Sequence, residues 1–258
     1  MTEFDTWRAY SNFEREVTRD RRFIRSDTAE RFLNSVRISC KSRHSRISNR
    51  RRLWRAQQGH GWRYEEQIND YLPAAFPKDR MLPLTDRAME GRANPRGIPV
   101  VYLCTNKDAA MSETRPWLGS YVSLGLFQTT RDLRLVDCTR DHQSHTALFI
   151  EEPPADQRDA AVWAQIDRAF TKPVTRSDDT DTYVATQILA ELFKHEGFDG
   201  ILYGSAFGER STNVALFSRD SVELLMCELH EVTGVKLNFR ERDNPYFVRS
   251  VKSRATKK

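Results

Sequence analysis

The chain has 258 residues, 39% of them hydrophobic and 30% charged, a globular composition with enough apolar material for one sizeable core. Lys and Arg number 41 against 36 Asp and Glu, and a net charge of +5 suits an anionic ligand without requiring nucleic acid. No apolar run approaches the roughly 20 residues that cross a bilayer, and the polar start MTEFDTWRAYSNFERE is not a signal peptide, so a cytoplasmic protein with no membrane partner is expected.

Residues 1–50 read as a charged, helical N-terminal extension. Trp7, Phe13 and Val17 fall on one helical face, and Phe23, Phe32, Leu33 and Val36 on a second. No strand-like alternation is visible there. The segment KSRHSRISNRRRLWR (41–55) is dense in arginine, which suits either a nucleic-acid patch or a solvated connection into a strand. The second reading is preferred, because aromatic residues are sparse within the run and acids flank it. Direct nucleic-acid binding is therefore disfavoured, and a basic binding module without enzymatic activity is the alternative reading of the whole chain.

From residue 51 to 232 short apolar runs alternate with helical patterns. RLWRA predicts a strand, and IPVVYLC (98–104) a stronger one with Pro99 at its edge. Asn106 or Asp108 can cap a helix through Met111 and Glu113 that Pro116 ends. SYVSLGLF, LRLVDC and TALFIE predict further strands. DTYVATQILAELFKHEG is the clearest helix, capped by Asp181 or Thr182 and stopped by Gly197. GILYGS and NVALFS predict two strands joined by a glycine-containing loop, and residues 233–258 form a basic C-terminal tail. The fold class is α+β; strands and helices alternate too irregularly for a doubly wound parallel sheet.

Familiar catalytic motifs are missing. YGSAFG (203–208) lacks the glycine pattern of a dinucleotide-binding turn, and Tyr203 stands where a serine-hydrolase elbow needs glycine. Cys40, Cys104, Cys138 and Cys227 form no CxxC pair, no HExxH occurs, and His142 with His145 reads as a loop pair, so no metal is expected. What remains is a set of polar residues beside apolar strands: Arg55, Arg92, Asn94, Tyr102, Glu113, Ser205 and Asn213. Each has a plain alternative. Arg55 can be a strand-edge charge, Tyr102 a core aromatic and Glu113 an exposed helix residue.

Three blocks in order change that balance: LWRA (53–56), GRANPRGIPVVYLCTNKDAAMSE (91–113) and FDGILYGSAFGERSTNVALF (198–217). Together they resemble the RES domain, the family of toxins in RES–Xre toxin–antitoxin pairs, over roughly residues 51–225. The resemblance implies an ADP-ribosyltransferase-like split β-sheet core with flanking helices, preceded here by the helical segment. It implies an enzyme that consumes NAD as substrate, with no prosthetic group, by phosphorolysis, hydrolysis or ADP-ribosyl transfer to protein. It also implies an Xre-type antitoxin partner. Carried over by position, Arg55 and Arg92 would hold the dinucleotide, Tyr102 would meet the nicotinamide end, Glu113 would be the central carboxylate, and Ser205 and Asn213 would support it. One departure stands out: the family often has an aromatic residue between the arginine and asparagine of G-R-x-N, where this chain has Ala93, which would loosen the pocket wall.

These residue types suit that chemistry. Breaking the nicotinamide–ribose bond builds positive charge on the sugar, which a carboxylate stabilises. Guanidinium groups take phosphates in a bidentate manner that lysine does not reproduce. A tyrosine offers a flat face to a pyridine ring.

Overall fold

Two helices open the chain, α1 (Ala9–Arg19) and α2 (Asp27–Ser39), in a computed structural model that describes residues 4–85, 87–141, 151–172, 183–208 and 211–239. Their corner is fastened by Glu16. Its carboxylate accepts from the Ser26 backbone N–H (2.8 Å) and from the Ser26 hydroxyl (2.6 Å), while Ser26 Oγ caps α2 by accepting from Ala29 N–H. Phe13, Val17, Phe32, Leu33 and Val36 are buried as their spacing predicts. Phe23 is not: it is 89% exposed, because it precedes the first turn of α2 and so belongs to no helical face.

The strands are β1 (His44–Ile47), β2 (Arg52–Gln58), β3 (Gly61–Glu65), β4 (Asp70–Ala74), β5 (Val101–Cys104), β6 (Tyr121–Thr129), β7 (Leu133–Asp137), β8 (Gly200–Gly204), β9 (Thr212–Leu216) and β10 (Val222–Glu231). The remaining helices are a short turn α3 (Lys78–Met81), then α4 (Lys107–Glu113), α5 (Ala155–Thr171) and α6 (Val184–His195). The fold is α+β, with one mixed sheet in the order β1-β7-β8-β9-β5-β2-β6-β10 and a separate β3–β4 hairpin. All neighbours in the sheet are antiparallel except β7 and β8.

Three local expectations change. β1 lies inside the region read as free of strands; with only four residues, two of them His44 and Arg46 facing out, it carries too little apolar alternation to be recognised. The strand expected from residue 98 begins at Val101, because Pro99 has no N–H to give and the Ile98 carbonyl is taken by the Asn94 side chain. α6 starts after Tyr183, whose side chain makes no cap bond; Asp181 and Thr182 lie outside the described residues, as do residues 146–150 of TALFIE, the pair His142 and His145, and the tail from 240 onward. Gly197 does stop α6, in the left-handed conformation at φ 79°. Asn106 is the N-cap of α4, its Oδ1 accepting from Asp108 N–H and Ala109 N–H.

The sheet is split by its hydrogen bonding. On one side β1, β7, β8, β9 and β5 form one lobe; on the other β2, β6 and β10 form a second. Between them β2 and β5 share a single residue pair, Trp54 with Cys104, before they part. Helices α1, α2, α5 and α6 cover the first lobe through a core that includes Phe13, Phe32, Trp163, Phe193 and Ile201. A second core around Leu53, Met81, Phe127, Leu135 and Val214 lies on the opposite side. Each such buried side chain is worth about 2 kcal/mol, so the helices are held firmly on the first lobe, beside the place where the strands separate. β8 and β9 approach closely enough that a Cβ on Gly200 would lie 2.2 Å from the Ala215 carbonyl oxygen, and only glycine fits there.

Candidate active site

A cavity of about 250 Å³ opens where β2 and β5 part. Trp54, Arg55 and Ala56 line it from β2, and Tyr102, Leu103 and Cys104 from β5. Glu113 and Thr114 contribute from the end of α4, Tyr203 from β8, Asn213 from β9, and Gly91 and Arg92 from the preceding turn. With the backbone ladder reduced to one pair, the Arg55 guanidinium takes the Tyr102 carbonyl instead, Nη1 donating over 3.0 Å. Its Nε–H finds no acceptor, and no carboxylate pairs with it among the described residues. Burial lowers the Arg55 pKa to about 10, partly offset by the neighbouring Tyr102, so the side chain stays cationic near neutral pH. A partly desolvated cation lacking a protein counter-ion is a place for an anion.

The turn at residues 91–94 is built around the Tyr102 hydroxyl. That hydroxyl donates to Asn94 Oδ1 (2.7 Å) and accepts from Ala93 N–H (2.9 Å). Gly91 is required because a Cβ there would come within 2.6 Å of the same oxygen. The Asn94 amide donates to the carbonyls of Met89, Pro95 and Ile98, and Gln187 on α6 donates to those of Gly91 and Asn94. The turn thereby directs Arg92 to the cavity, with Nη1 donating to the Phe170 carbonyl in the last turn of α5. Burial raises the Tyr102 pKa well above its ordinary value, so the phenol is neutral and its ring, rather than its engaged hydroxyl, is what it can present to a ligand. Ala93 is a further correction: it is buried in the helix-covered core behind the turn and does not form the cavity wall.

Lining the same cavity as the arginines, Glu113 is half-buried and fixed through one oxygen. Ser205 Oγ donates to Oε1 at 2.9 Å and Asn213 Nδ2 donates to the same Oε1 at 2.8 Å. Ser205 Oγ in turn accepts from Phe207 N–H. Oε2 has no hydrogen-bond partner among the described residues. Two donors therefore orient the carboxylate and leave its second oxygen available. Tyr203 is buried beside them, and burial raises its pKa, with Tyr102 adding in the same direction.

The RES domain family model matches residues 52–232. The chain belongs to the RES domain family. No curated protein matches its sequence. Among solved structures, the M. tuberculosis MbcT–MbcA toxin–antitoxin complex contains a chain similar over 76% of this chain and 92% of its own, at 16% identity and a TM-score of 0.43. Within this RES domain six of the seven residues singled out from sequence come together, and the seventh, Asn94, lies outside the lining and accepts from the Tyr102 hydroxyl. Arg55, Arg92, Tyr102, Glu113 and Asn213 line the cavity, and Ser205 reaches it through Glu113. Sequence reasoning missed Trp54, Thr114 and Tyr203 in the lining and Gln187 behind the turn. Tyr203 was legible within the block 198–217, two residues before Ser205. Gln187 was not, since it is one polar residue in an amphipathic helix.

Proposed function

We propose that this cavity binds NAD and that the RES domain cleaves its nicotinamide–ribose bond. One observation carries the reading: two guanidinium groups, a tyrosine ring and a carboxylate oriented by two donors converge on a hollow where the sheet divides. Arg55 and Arg92 hold the pyrophosphate. The Tyr102 ring lies against the nicotinamide. Glu113 uses its available oxygen to stabilise positive charge growing on the ribose, or to hold a ribose hydroxyl, as the bond breaks. Donors to Oε1 arranged in advance avoid reorganisation during the reaction, which is where such sites gain most of their rate.

The acceptor of the ribosyl group is phosphate, water or a protein side chain. Nicotinamide leaves with the electron pair of the C–N bond in each case. Water yields ADP-ribose and a proton, and phosphate yields an ADP-ribose phosphoester. Incubating the protein with NAD, with and without phosphate, and weighing the products by mass spectrometry distinguishes these routes. Intact NAD under every condition overturns the reading. Family membership further supports a toxin held in check by an antitoxin, for which the expected outcome is growth arrest when the chain is expressed alone in bacteria. Unimpaired growth with active protein accumulating contradicts the toxin role.

A further inference from the structure

We infer that the last turn of α5 is a positioning clamp for the catalytic carboxylate, acting through Gly204 and Ser205; this rests on the NAD-cleaving reading above. Strand β8 pairs with β7 on one side only as far as Leu202, whose carbonyl takes Cys138 N–H. Beyond that point β7 has ended, and Gly204 has no strand neighbour on that side. Helix α5 supplies the missing partners. Asp167 Oδ1 accepts from Gly204 N–H at 3.0 Å, and the Thr171 hydroxyl donates to the Gly204 carbonyl at 3.0 Å. Both backbone groups of one residue are thus held by side chains one helical turn apart. Gly204 immediately precedes Ser205, which holds Glu113. Between those two helix residues, Phe170 gives its carbonyl to Arg92, and its ring lies 5.7 Å from that of Tyr203. An orphan carbonyl at a helix C-terminus is a favourable site for a guanidinium.

The same helical turn therefore holds two parts of the site, the cation that would bind phosphate and, through Gly204, the serine that orients the carboxylate. Asp167 is 1% exposed, so its half of the clamp is shielded from water, while the Thr171 bond is partly buried. Asp167 and Thr171 are not placed to touch substrate. They act through Ser205, and a small shift of Gly204 is transmitted to a bond only 2.9 Å long.

The test is steady-state kinetics of nicotinamide release by Thr171→Val and Thr171→Ser, each also on a Ser205→Ala background. Thr171→Val is expected to lower kcat about fivefold or more, the scale of one lost hydrogen bond, with KM for NAD within about twofold and the melting temperature nearly unchanged. Thr171→Ser, which keeps the hydroxyl, restores kcat. On the Ser205→Ala background Thr171→Val has little further effect, because its route to Glu113 is already cut. If Thr171→Val does not fold, Thr171→Ala serves in its place. An unchanged kcat, a loss that serine fails to rescue, or full additivity with Ser205→Ala overturns the clamp. Wild-type protein that releases no nicotinamide overturns the NAD reading instead, and the two failures are thereby distinguished.

Discussion

At the scale of single residues, Glu113 carries the proposed chemistry and its two donors carry Glu113. Glu113→Gln should lower kcat about a hundredfold or more in a protein with an unchanged circular dichroism spectrum, since one preorganised electrostatic contact is worth on the order of 3 kcal/mol. Ser205→Ala and Asn213→Ala should each cost about tenfold, and the double variant less than the product, because both act on the same oxygen. Additive losses, read from kcat of the three variants, would mean that one of the two residues contacts substrate directly. The types of these residues were legible in the sequence, but their commitments were not. Tyr102 could be assigned to the site from its motif, yet that its hydroxyl is spent on residues 93 and 94 follows only from the turn that Gly91 permits.

At the scale of elements, the site depends on where strands stop pairing. α4 could be read from its Asn106 cap, α6 from its spacing and the Gly197 stop, and β8 and β9 from their glycine-containing loop, because those signals are local. The parting of β2 and β5 after one pair could not, because it is set by which strands β6 and β9 recruit across the sheet. Nor could β1, whose pairing to β7 supplies what its four-residue sequence, with Ile47 its one apolar side chain, lacks. Two arginines of the 41–55 run have places in the fold: Arg43 stacks on Trp163 at 4.6 Å and Arg55 enters the cavity. Close strand approach gives a stability prediction. Gly200→Ala places a methyl group against the Ala215 carbonyl and should destabilise the protein by more than about 3 kcal/mol in urea unfolding, or prevent soluble expression. A variant of wild-type stability would mean that β8 and β9 are farther apart.

At the scale of the whole molecule, N-terminal helices and RES domain share one hydrophobic core, which includes Phe13, Phe32, Trp163 and Phe193. Three tyrosines in or beside that core, Tyr10, Tyr102 and Tyr203, have pKa values raised by burial above the ordinary 10.0. A phenol that ionises later when folded gives stability that is complete below pH 10 and lost as pH rises toward the folded-state value. Thermal unfolding should therefore show a falling melting temperature above pH 10, and Tyr10→Phe should flatten the fall; a melting temperature constant to pH 12 contradicts that assignment. The proposed chemistry depends on the cavity between the lobes. Its most direct test is the rate of free nicotinamide released from NAD by the purified protein and by folded Glu113→Gln side by side. Release by the first and at least a hundredfold slower release by the second are expected; equal rates, or none from either, would contradict the proposed role of the cavity.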